Sequence, residues 1–511
     1  MHVHFNVREF LDRAAVTYPD RVALVDEPDQ PAEPWAPLTF AQLADRARAQ
    51  AAGLDRMGIA PGERVAVVSH NSARLLTSFF GVTGWGRILV PVNFRLARAE
   101  VDYILEHSGA SVLLVDPELD EALAGIGPER RYVLGEASDA ELFVPGVEPE
   151  PWASDEAATA TINYTSGTTA RPKGVQLTHR NCWVNSAVFG WHTGVSDRDV
   201  YLHTLPMFHA NGWGMPWTTA AMGVTQVALR KVDGPEILRR VGRHGVTLLC
   251  AAPAVVNAVL EAAADWDGPV PGAGTTRIVV AGAPPPSKTI ERIESELGWE
   301  FIQIYGLTET SPLLTVNRTR AEWDGLPSDQ RARKLMRAGA PAVGTEISID
   351  EHGEVLARSN TVMAGYWRQP EESAAALAGG WFHTGDGGLL DEEGHLSILD
   401  RKKDVIITGG ENVSSIEVED AIFSLGGVVE VAVIGVPHDK WGEMVLALVV
   451  VDESSGVTEE LVITHCKTVL AGYKCPKEVE LREQLPRTAT GKLQKFRLRA
   501  PYWKGLERQV N

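Results

Sequence analysis

The sequence is poor in cysteine, and the four cysteines that it has lie far apart. They are Cys182, Cys250, Cys466 and Cys475, with no Cys-x-x-Cys pair among them and no neighbouring pair of histidines. A zinc site or a disulfide framework needs closer and more regular spacing than this. We therefore expect four reduced, structural thiols in a cytoplasmic protein.

Positive charge is also in short supply. The chain has 48 lysines and arginines against 67 aspartates and glutamates, which gives a net charge of −19. Such a balance argues against a surface for nucleic acid or for an anionic membrane. Any site for a phosphate group must therefore be a local cluster of donors and cations in an acidic protein.

Long apolar runs are missing as well. The longest uninterrupted aliphatic run is Met444 to Val451, whereas a membrane-spanning helix needs about 20 apolar residues. The first residues, Met-His-Val-His-Phe, lack the apolar core of a signal peptide. We expect no membrane span. The 511 residues, 44% of them hydrophobic, are enough for two or three globular domains.

What the sequence does have is a regular alternation of short β-branched segments with helical patterns. The predicted strands are Arg64–Ser69, Ile88–Val92, Ser111–Val115, Val246–Cys250, Arg277–Ala281 and Glu300–Ile304, and the predicted helices include Ala99–His107, Val255–Ala264 and Ser287–Leu297. Strands that alternate with helices indicate an α/β fold built of parallel layers.

The pattern changes near Asp400. A helix at Glu417–Leu425, strands at Val428–Val436 and Val445–Val451, and a helix at Glu459–Leu470 form a compact α+β unit. We therefore predict two domains, a large N-terminal domain over residues 1–400 and a small C-terminal domain over residues 401–511.

One stretch suggests an anion site. Residues Asn163 to Gly174 read Asn-Tyr-Thr-Ser-Gly-Thr-Thr-Ala-Arg-Pro-Lys-Gly. A Walker loop is excluded, because Lys173 follows a proline and no Ser or Thr comes after it. Hydroxyls, a glycine and a lysine still suit phosphate. On these residues alone, a phosphate loop and a solvated Ser/Thr/Gly turn both remain open.

Four further stretches rich in Gly, Thr and charge follow along the chain. They are Ile304-Tyr-Gly-Leu-Thr-Glu-Thr310, Thr384-Gly-Asp-Gly387, Asp400-Arg-Lys-Lys-Asp through Asn412, and Pro486-Arg-Thr-Ala-Thr-Gly-Lys492. Each stretch alone is typical of an ordinary turn.

In this order and at these distances, the five stretches together resemble the adenylate-forming superfamily of acyl- and aryl-CoA synthetases, peptide-synthetase adenylation domains and firefly-type luciferases. The resemblance covers essentially the whole chain. Two segments, Leu205–Trp213 and Gly409–Ser415, are most similar to medium- and long-chain or aromatic acyl-CoA ligases. One departure is Ala170, where the family usually has glycine.

The resemblance implies a two-step reaction that uses ATP, Mg²⁺ and CoA. A carboxylate attacks the α-phosphate of ATP, forms an acyl-adenylate and releases pyrophosphate, and a thiol then displaces AMP. Both steps gather negative charge, so catalysis should rest on positioning and electrostatics.

The resemblance also implies roles for residues. Lys492 would neutralise charge in the first step, Glu309 would bind Mg²⁺ together with Thr165, Gly409 and Gly410 would line the CoA tunnel, and Lys403 would be a hinge between two domain arrangements. ATP would be bound by Thr165, Ser166, Gly167, Thr168, Thr169, Lys173, Gly282, Ala283, Pro284, Tyr305, Gly306, Leu307, Thr308, Asp386 and Arg401.

The acid is predicted to lack an α-amino group. Relatives that activate amino acids place an aspartate just after the aromatic-rich segment, and here that stretch reads His209-Ala-Asn-Gly212. An unpaired ammonium in an apolar pocket would be costly. The acyl pocket is predicted to contain His209, Gly212, Trp213, Val255, Gly282 and Pro312. His209 is either a packed core residue or a catalytic-site side chain near the acyl and pantetheine channel, and we assign it no general-base role.

Several alternatives stay open on the sequence. The acceptor could be the thiol of an acyl carrier protein instead of CoA, or the adenylate could react with O₂ as in the luciferases. A homodimer is also open. An ATP-binding sensor with a degraded site is disfavoured, because Glu309, Asp386, Arg401 and Lys492 are all present.

Overall fold

The structure is a computed structural model of the chain. It describes residues 1–165, 171–282, 285–401, 406–408, 411–438, 441–452, 454–487 and 493–504, and for Asp400, Arg401 and Asn412 it describes the backbone only.

The strands of the described ranges are numbered in chain order. They are β1 (Val22–Val25), β2 (Leu38–Thr39), β3 (Arg64–Val68), β4 (Ile88–Val92), β5 (Ala110–Val115), β6 (Arg131–Val133), β7 (Thr159–Thr165), β8 (Lys173–Thr178), β9 (Val200–His203), β10 (Thr225–Ala228), β11 (Leu248–Ala251), β12 (Arg277–Val280), β13 (Glu300–Gly306), β14 (Leu313–Arg318), β15 (Ala340–Pro341), β16 (Thr345–Ile349), β17 (Glu354–Ser359), β18 (Gly365–Tyr366), β19 (Phe382–Leu390), β20 (Leu396–Arg401), β21 (Ile406–Thr408), β22 (Glu411–Val413), β23 (Val428–His438), β24 (Gly442–Val451) and β25 (Glu478–Leu481).

The α-helices of the same ranges are numbered likewise. They are α1 (Arg8–Thr17), α2 (Phe40–Arg56), α3 (Ala73–Gly81), α4 (Arg98–Ser108), α5 (Glu136–Leu142), α6 (His179–Thr193), α7 (Met215–Met222), α8 (Gly234–His244), α9 (Pro253–Ala264), α10 (Ser287–Arg292), α11 (Ser328–Leu335), α12 (Pro370–Ala376), α13 (Ser415–Phe423), α14 (Glu459–Val469) and α15 (Lys495–Arg499).

Two largely parallel sheets form the large N-terminal body. One has nine strands in the order β15-β14-β13-β12-β11-β9-β10-β1-β2, and the other has seven in the order β18-β8-β7-β4-β3-β5-β6. The central pairs are parallel, and antiparallel strands stand at the edges. Helices α1 to α3 and α7 pack with residues of both sheets in the largest core cluster. The α/β class predicted from the alternation of strands and helices is confirmed.

A third sheet was not predicted from the sequence. It has four antiparallel strands in the order β16-β17-β19-β20. The predicted turn Thr384–Gly387 lies inside β19 of this sheet, and Arg401 lies at the end of β20. The alternation argument could not find it, because no helix separates β16 from β17 or β19 from β20.

The C-terminal unit is a five-stranded sheet in which β24 pairs with β23 over ten residues, with helices packed on it. Hydrogen bonds join it to the large body. Asp420 of α13 accepts hydrogen bonds from the amide (2.8 Å) and the hydroxyl (3.0 Å) of Ser287, at the start of α10. The hydroxyl of Ser414 donates to the carbonyl of Leu399 in β20 at 2.7 Å. The division at residues 400 and 401 stays a prediction.

The two large sheets meet at their carboxyl ends, where a buried ion pair joins them. Arg230, just past β10, donates to both carboxylate oxygens of Asp116, just past β5, at 2.7 and 2.6 Å. Ser69, just past β3, donates to the same carboxylate at 3.1 Å. The Arg230 and Asp116 side chains are each 3% exposed. Ligands of α/β sheets bind beside such strand ends, so this pair fixes the edge at which a site can form.

No α-helix in the described part of the chain is long and apolar enough to cross a membrane.

We expect Asp116→Ala to destabilise the N-terminal body by about 3–5 kcal/mol, because it leaves the buried Arg230 guanidinium without its main partner. The midpoint of urea unfolding, followed by circular dichroism, measures the effect. The control is Asp12→Ala, which removes the exposed pair of Arg8 and Asp12 and should cost under about 1 kcal/mol. Equal shifts for the two variants would contradict a structural role for the buried pair.

Candidate functional site

The predicted phosphate stretch is the connection of a β-hairpin. Strands β7 and β8 pair antiparallel, and Thr165 and Lys173 face each other at the end of the pairing. Residues 166–170, which hold the predicted ligands Ser166, Gly167, Thr168 and Thr169, lie outside the described residues. What the structure describes is the base of the hairpin, where a half-buried threonine stands opposite a half-buried lysine.

A tyrosine that the sequence did not reveal links this hairpin to Glu309. The short strand β18 pairs with β8, which places Tyr366 beside Val175. The Tyr366 hydroxyl donates to the Glu309 carboxylate at 3.0 Å. The Lys173 ammonium lies 4.8 Å from the centre of the Tyr366 ring, within cation–π range. One side chain therefore contacts both the lysine of the hairpin and the predicted magnesium ligand.

The environment keeps Tyr366 in its neutral, donating form. Burial raises the pKa of its phenol well above the usual value, and the neighbouring Glu309 carboxylate raises this pKa further. Glu309 itself lies in a 3₁₀ turn, Thr308–Thr310, just after β13. The amide of Met363 donates to the Glu309 carbonyl at 2.8 Å, so backbone as well as side chain is tied to the β18 segment.

A second tyrosine and carboxylate pair lies nearby. Tyr305, near the end of β13, donates its hydroxyl to Asp386 of β19 at 2.8 Å. Asp386 is 5% exposed and is paired in register with Arg401. Next to Tyr305, the chain passes so close to Pro312 that a Cβ on Gly306 would collide with the Pro312 carbonyl oxygen. Glycine is therefore required at this point of the motif.

The aromatic-rich segment forms a strained turn. We call Ala210–Gly214 the left-handed turn, because all five residues have positive φ: 44° for Ala210, 57° for Asn211, 56° for Gly212, 59° for Trp213 and 78° for Gly214. Three of them are not glycine, and a left-handed L-residue costs roughly 1–2 kcal/mol. Such strain persists only where surrounding contacts impose it, and it is found most often at functional sites.

Buried amides hold the left-handed turn. The Asn211 side chain accepts from Asn163 at 3.1 Å and donates to Thr161 at 2.9 Å, both on β7. Asn185 of α6 donates to the carbonyl of Trp213 at 3.2 Å. His209, at the start of the turn, is half-buried. The turn is thus attached to β7, the first strand of the β7–β8 hairpin.

The remaining predicted pocket residues are spread around this turn. Gly212, Trp213 and Pro312 are buried, whereas Val255 is half-buried and packs against the core cluster of α8 and α9. Gly282 follows β12 with a φ of 97°. The predicted residues Ala283, Pro284, Lys403, Gly409, Gly410 and Lys492, and the side chain of Arg401, lie outside the described residues.

The cysteines are unsuited to covalent catalysis. All four are buried and unpaired with one another. Burial raises the pKa of Cys182, Cys250 and Cys466 to about 12 each, so these thiols stay protonated. The thiolate is the nucleophilic form. These three thiols are therefore poorly suited to accept an acyl group.

Comparison with known families matches both parts of the chain. Residues 11–367 match the family described as AMP-binding enzyme, and residues 417–492 match the AMP-binding enzyme C-terminal domain.

Curated relatives match over nearly the full length. The chain is 37% identical to 4-hydroxybutyrate–CoA ligase 2 of Metallosphaera sedula, over 96% of this chain and 93% of the relative. It is also 37% identical to 2-methylpropanoate–CoA ligase CCL4 of Humulus lupulus, over 96% and 94%.

A solved enzyme has the same fold. O-succinylbenzoate coenzyme A synthetase of Bacillus subtilis, in complex with its acyl-adenylate intermediate, superposes with a TM-score of 0.82 at 29% identity, over 96% of this chain and 97% of that one. The same enzyme in complex with ATP and a magnesium ion gives a TM-score of 0.81, over 96% and 98%.

We expect Tyr366→Phe to raise the Mg²⁺ concentration needed for half-maximal adenylation and to lower kcat/KM for ATP about tenfold. It removes one hydrogen bond to a carboxylate, a loss of about 1.5–3 kcal/mol at a charged group, and keeps the ring beside Lys173. Pyrophosphate exchange at varied Mg²⁺ is the measurement.

Two further variants separate this role from a general loss of packing. Tyr164→Phe is the matched control, since Tyr164 lies on the neighbouring strand β7 and its hydroxyl pairs with His107; its Mg²⁺ titration should match the wild type. Glu309→Gln should weaken the Mg²⁺ dependence, and adding Tyr366→Phe to it should change little more, because the two groups act as one unit. Additive losses would refute the coupling.

Proposed function

The chain belongs to the AMP-binding enzymes, and from that premise we propose that it activates a small carboxylic acid without an α-amino group, with Mg²⁺ bound at Glu309. Its reaction class is that of an AMP-forming acid–CoA ligase, which consumes ATP and CoA and releases pyrophosphate and AMP.

The observation that carries the proposal is the junction of Lys173, Tyr366 and Glu309 at the base of the hairpin. A cation and a carboxylate that contact the same tyrosine would supply the opposite charges that a triphosphate and its metal need, which supports a site for them here. A carboxylate with a few hydroxyls is a donor set that magnesium accepts, the rest coming from phosphate and water. When bound, Mg²⁺ would screen the charge of the phosphate groups. The Bacillus subtilis neighbour was solved with ATP and a magnesium ion.

In the first step, the acid's carboxylate oxygen attacks the α-phosphorus, a new P–O bond forms, and the bond to the bridging oxygen breaks so that pyrophosphate leaves with its electron pair. We propose that Lys173 and Thr165, opposite each other at the base of the hairpin, hold the departing phosphates. Tyr305 keeps Asp386 in place by a direct hydrogen bond, which supports Asp386 as the acceptor for the ribose hydroxyls. We propose that Lys492 neutralises charge at the α-phosphate.

In the second step, the thiolate of CoA attacks the acyl carbon, a C–S bond forms, and AMP leaves with the electron pair of the C–O bond. The four cysteines are buried and burial raises the pKa of three of them, which supports an external thiol as the acceptor. We propose that Gly409 and Gly410 line its approach and that Lys403 is the hinge between two arrangements of the C-terminal unit. The thiol of an acyl carrier protein stays an alternative prediction for the acceptor. A homodimer stays a prediction for the assembly.

The character of the acid is proposed from the left-handed turn. Its side chains are apolar or neutral, and the stretch His209–Gly212, in which amino-acid-activating relatives would supply an aspartate, has no carboxylate. The two curated relatives are named for 4-hydroxybutyrate and 2-methylpropanoate, neither of which is an amino acid. We therefore propose short or branched aliphatic and small aromatic acids as the substrate class.

The proposal is tested by measuring pyrophosphate exchange and CoA thioester formation with acetate, butyrate, 4-hydroxybutyrate, 2-methylpropanoate and benzoate. Each is compared with an amino acid of similar shape, such as alanine for 2-methylpropanoate. We expect at least one acid to support both steps and its amino counterpart to be at least about 100-fold poorer, since an unpaired ammonium is costly to bury. Preferred turnover of the amino acids would refute the substrate class.

We expect Lys492→Ala to lower adenylate formation by about two to four orders of magnitude, which is typical for the loss of a charge contact made in the transition state. Thioester formation from a synthetic acyl-adenylate and CoA should stay close to the wild-type rate. Both half-reactions are measured on folded protein, and the role assigned to Lys492 is wrong if thioester formation falls as far as the overall reaction.

A further inference from the structure

We infer that Asn185 is a positioning residue that sets the shape of the acid-binding pocket, by tying the left-handed turn to the Pro312–Leu313 segment. The inference rests on the proposed function, because those two segments are the walls predicted for the acid. It concerns which acids are accepted and how tightly, not whether ATP is bound.

The geometry is a two-ended bridge from one side chain. Asn185 lies on α6 and is completely buried. Its amide NH₂ donates to the carbonyl of Trp213 in the left-handed turn at 3.2 Å. Its amide oxygen accepts from the backbone amide of Leu313 at 3.2 Å. These two backbone groups lie 100 residues apart in sequence, and one side chain satisfies both.

The bridge also explains why residue 214 is a glycine. An added Cβ on Gly214, which has a φ of 78°, would lie 2.6 Å from the Asn185 amide nitrogen. The turn therefore comes so close to α6 that only a glycine fits at its last position. The hydroxyl oxygen of Ser186, the next residue of the helix, lies 3.5 Å from the Gly214 carbonyl oxygen. Helix α6 is thus the surface on which the left-handed turn rests.

Only a side chain that both donates and accepts can make this bridge. An aspartate could accept from the Leu313 amide but would place a negative oxygen against the Trp213 carbonyl. An alanine would leave a buried carbonyl and a buried amide without their partner, which is costly. Because Ala210, Asn211 and Trp213 have positive φ, the turn has conformations of lower local energy to relax into once this contact is lost.

Loss of the bridge would affect how the acid is bound. Trp213 is 3% exposed and belongs to the core cluster that includes Ala210 and Leu313. A shift of the turn moves the Trp213 ring relative to Pro312, and the space between them changes. Lys173, Tyr366 and Glu309 make none of the contacts described for Asn185, so binding of ATP should be affected little.

The test uses Asn185→Asp and Asn185→Ala, with the acid panel named above as the probe. For the acid that the wild type uses best, we expect KM to rise at least about tenfold, while KM for ATP changes less than about twofold. The ratio of kcat/KM for butyrate to that for benzoate should shift at least about fivefold, as expected when pocket contacts differ between substrates.

The matched control is Asn317→Ala. Asn317 is 2% exposed and also bridges two backbone groups, donating to the carbonyls of Lys334 and Arg337 at 2.8 and 2.9 Å. It lies near the far end of β14 from Leu313, and the two hydrogen bonds just described attach it to the end of α11 and the residues after it, not to the left-handed turn. This variant should lose stability to a similar extent and keep the acid preference of the wild type. If Asn185→Ala merely lowers the amount of folded enzyme, it will behave like the control, and the inference is overturned.

Hydrogen exchange gives a readout that needs no activity. In Asn185→Ala, the amide of Leu313 and the peptide covering Ala210–Gly214 should exchange at least about tenfold faster than in the wild type. The Asn317→Ala control should not show this increase at the same two places. Unchanged exchange there would overturn the inference even if activity falls. A wild type that is inactive with every acid would instead refute the proposed function, and hydrogen exchange would still decide the role of Asn185.

Discussion

The hydrogen bond from Tyr366 to Glu309 holds a carboxylate beside the hairpin for which we propose phosphate binding. Without a cation between them, the carboxylate and a bound phosphate group would repel each other, so the carboxylate must be fixed in place before any ligand arrives. A phenol whose pKa is raised by burial can do this, since it stays a donor across the working pH range. The same ring lies against Lys173, so the charges that would face the metal and the phosphates are set by one side chain.

The position of that side chain depends on the larger architecture. Strand β18 is only two residues long and pairs with the edge of the seven-stranded sheet at β8. Glu309 follows β13 of the nine-stranded sheet. The hydrogen bond thus crosses from one sheet to the other, and it keeps its length only if the two sheets keep their relative position. The buried pair of Arg230 and Asp116, at another point of the same junction, supplies that constraint.

Much of the fold could be predicted from the sequence, because a parallel strand between helices leaves a local signal. The segment Ile88–Val92 is a strand with the predicted bounds, and Val428–Val436 and Glu459–Leu470 differ by two residues or fewer. The family, too, could be inferred from motifs. Tyr366 could not be found, because it lies 57 residues from Glu309 in sequence and Gly-Tyr-Trp is not a signal in itself. Asn185 could not be found either. It is a polar residue in a helix, and its role depends on backbone groups that lie far away in the chain.

The segment Glu309–Leu313 connects the two ends of the candidate site. At one end the Glu309 side chain is held by Tyr366, and at the other the Leu313 amide is held by Asn185. Between them, the hydroxyl of Ser311 donates to the carbonyl of Thr361 at 2.8 Å. Adenylation requires the acid's carboxylate to approach the α-phosphate in line, and a misplacement of about 1 Å can cost 100-fold in rate. If Glu309 binds the metal and Pro312 lines the acid pocket, the distance between them is fixed by three hydrogen bonds to a segment of five residues. The Asn185 bridge would then do two things at once, because the same side chain holds the left-handed turn and anchors the acid end of this segment.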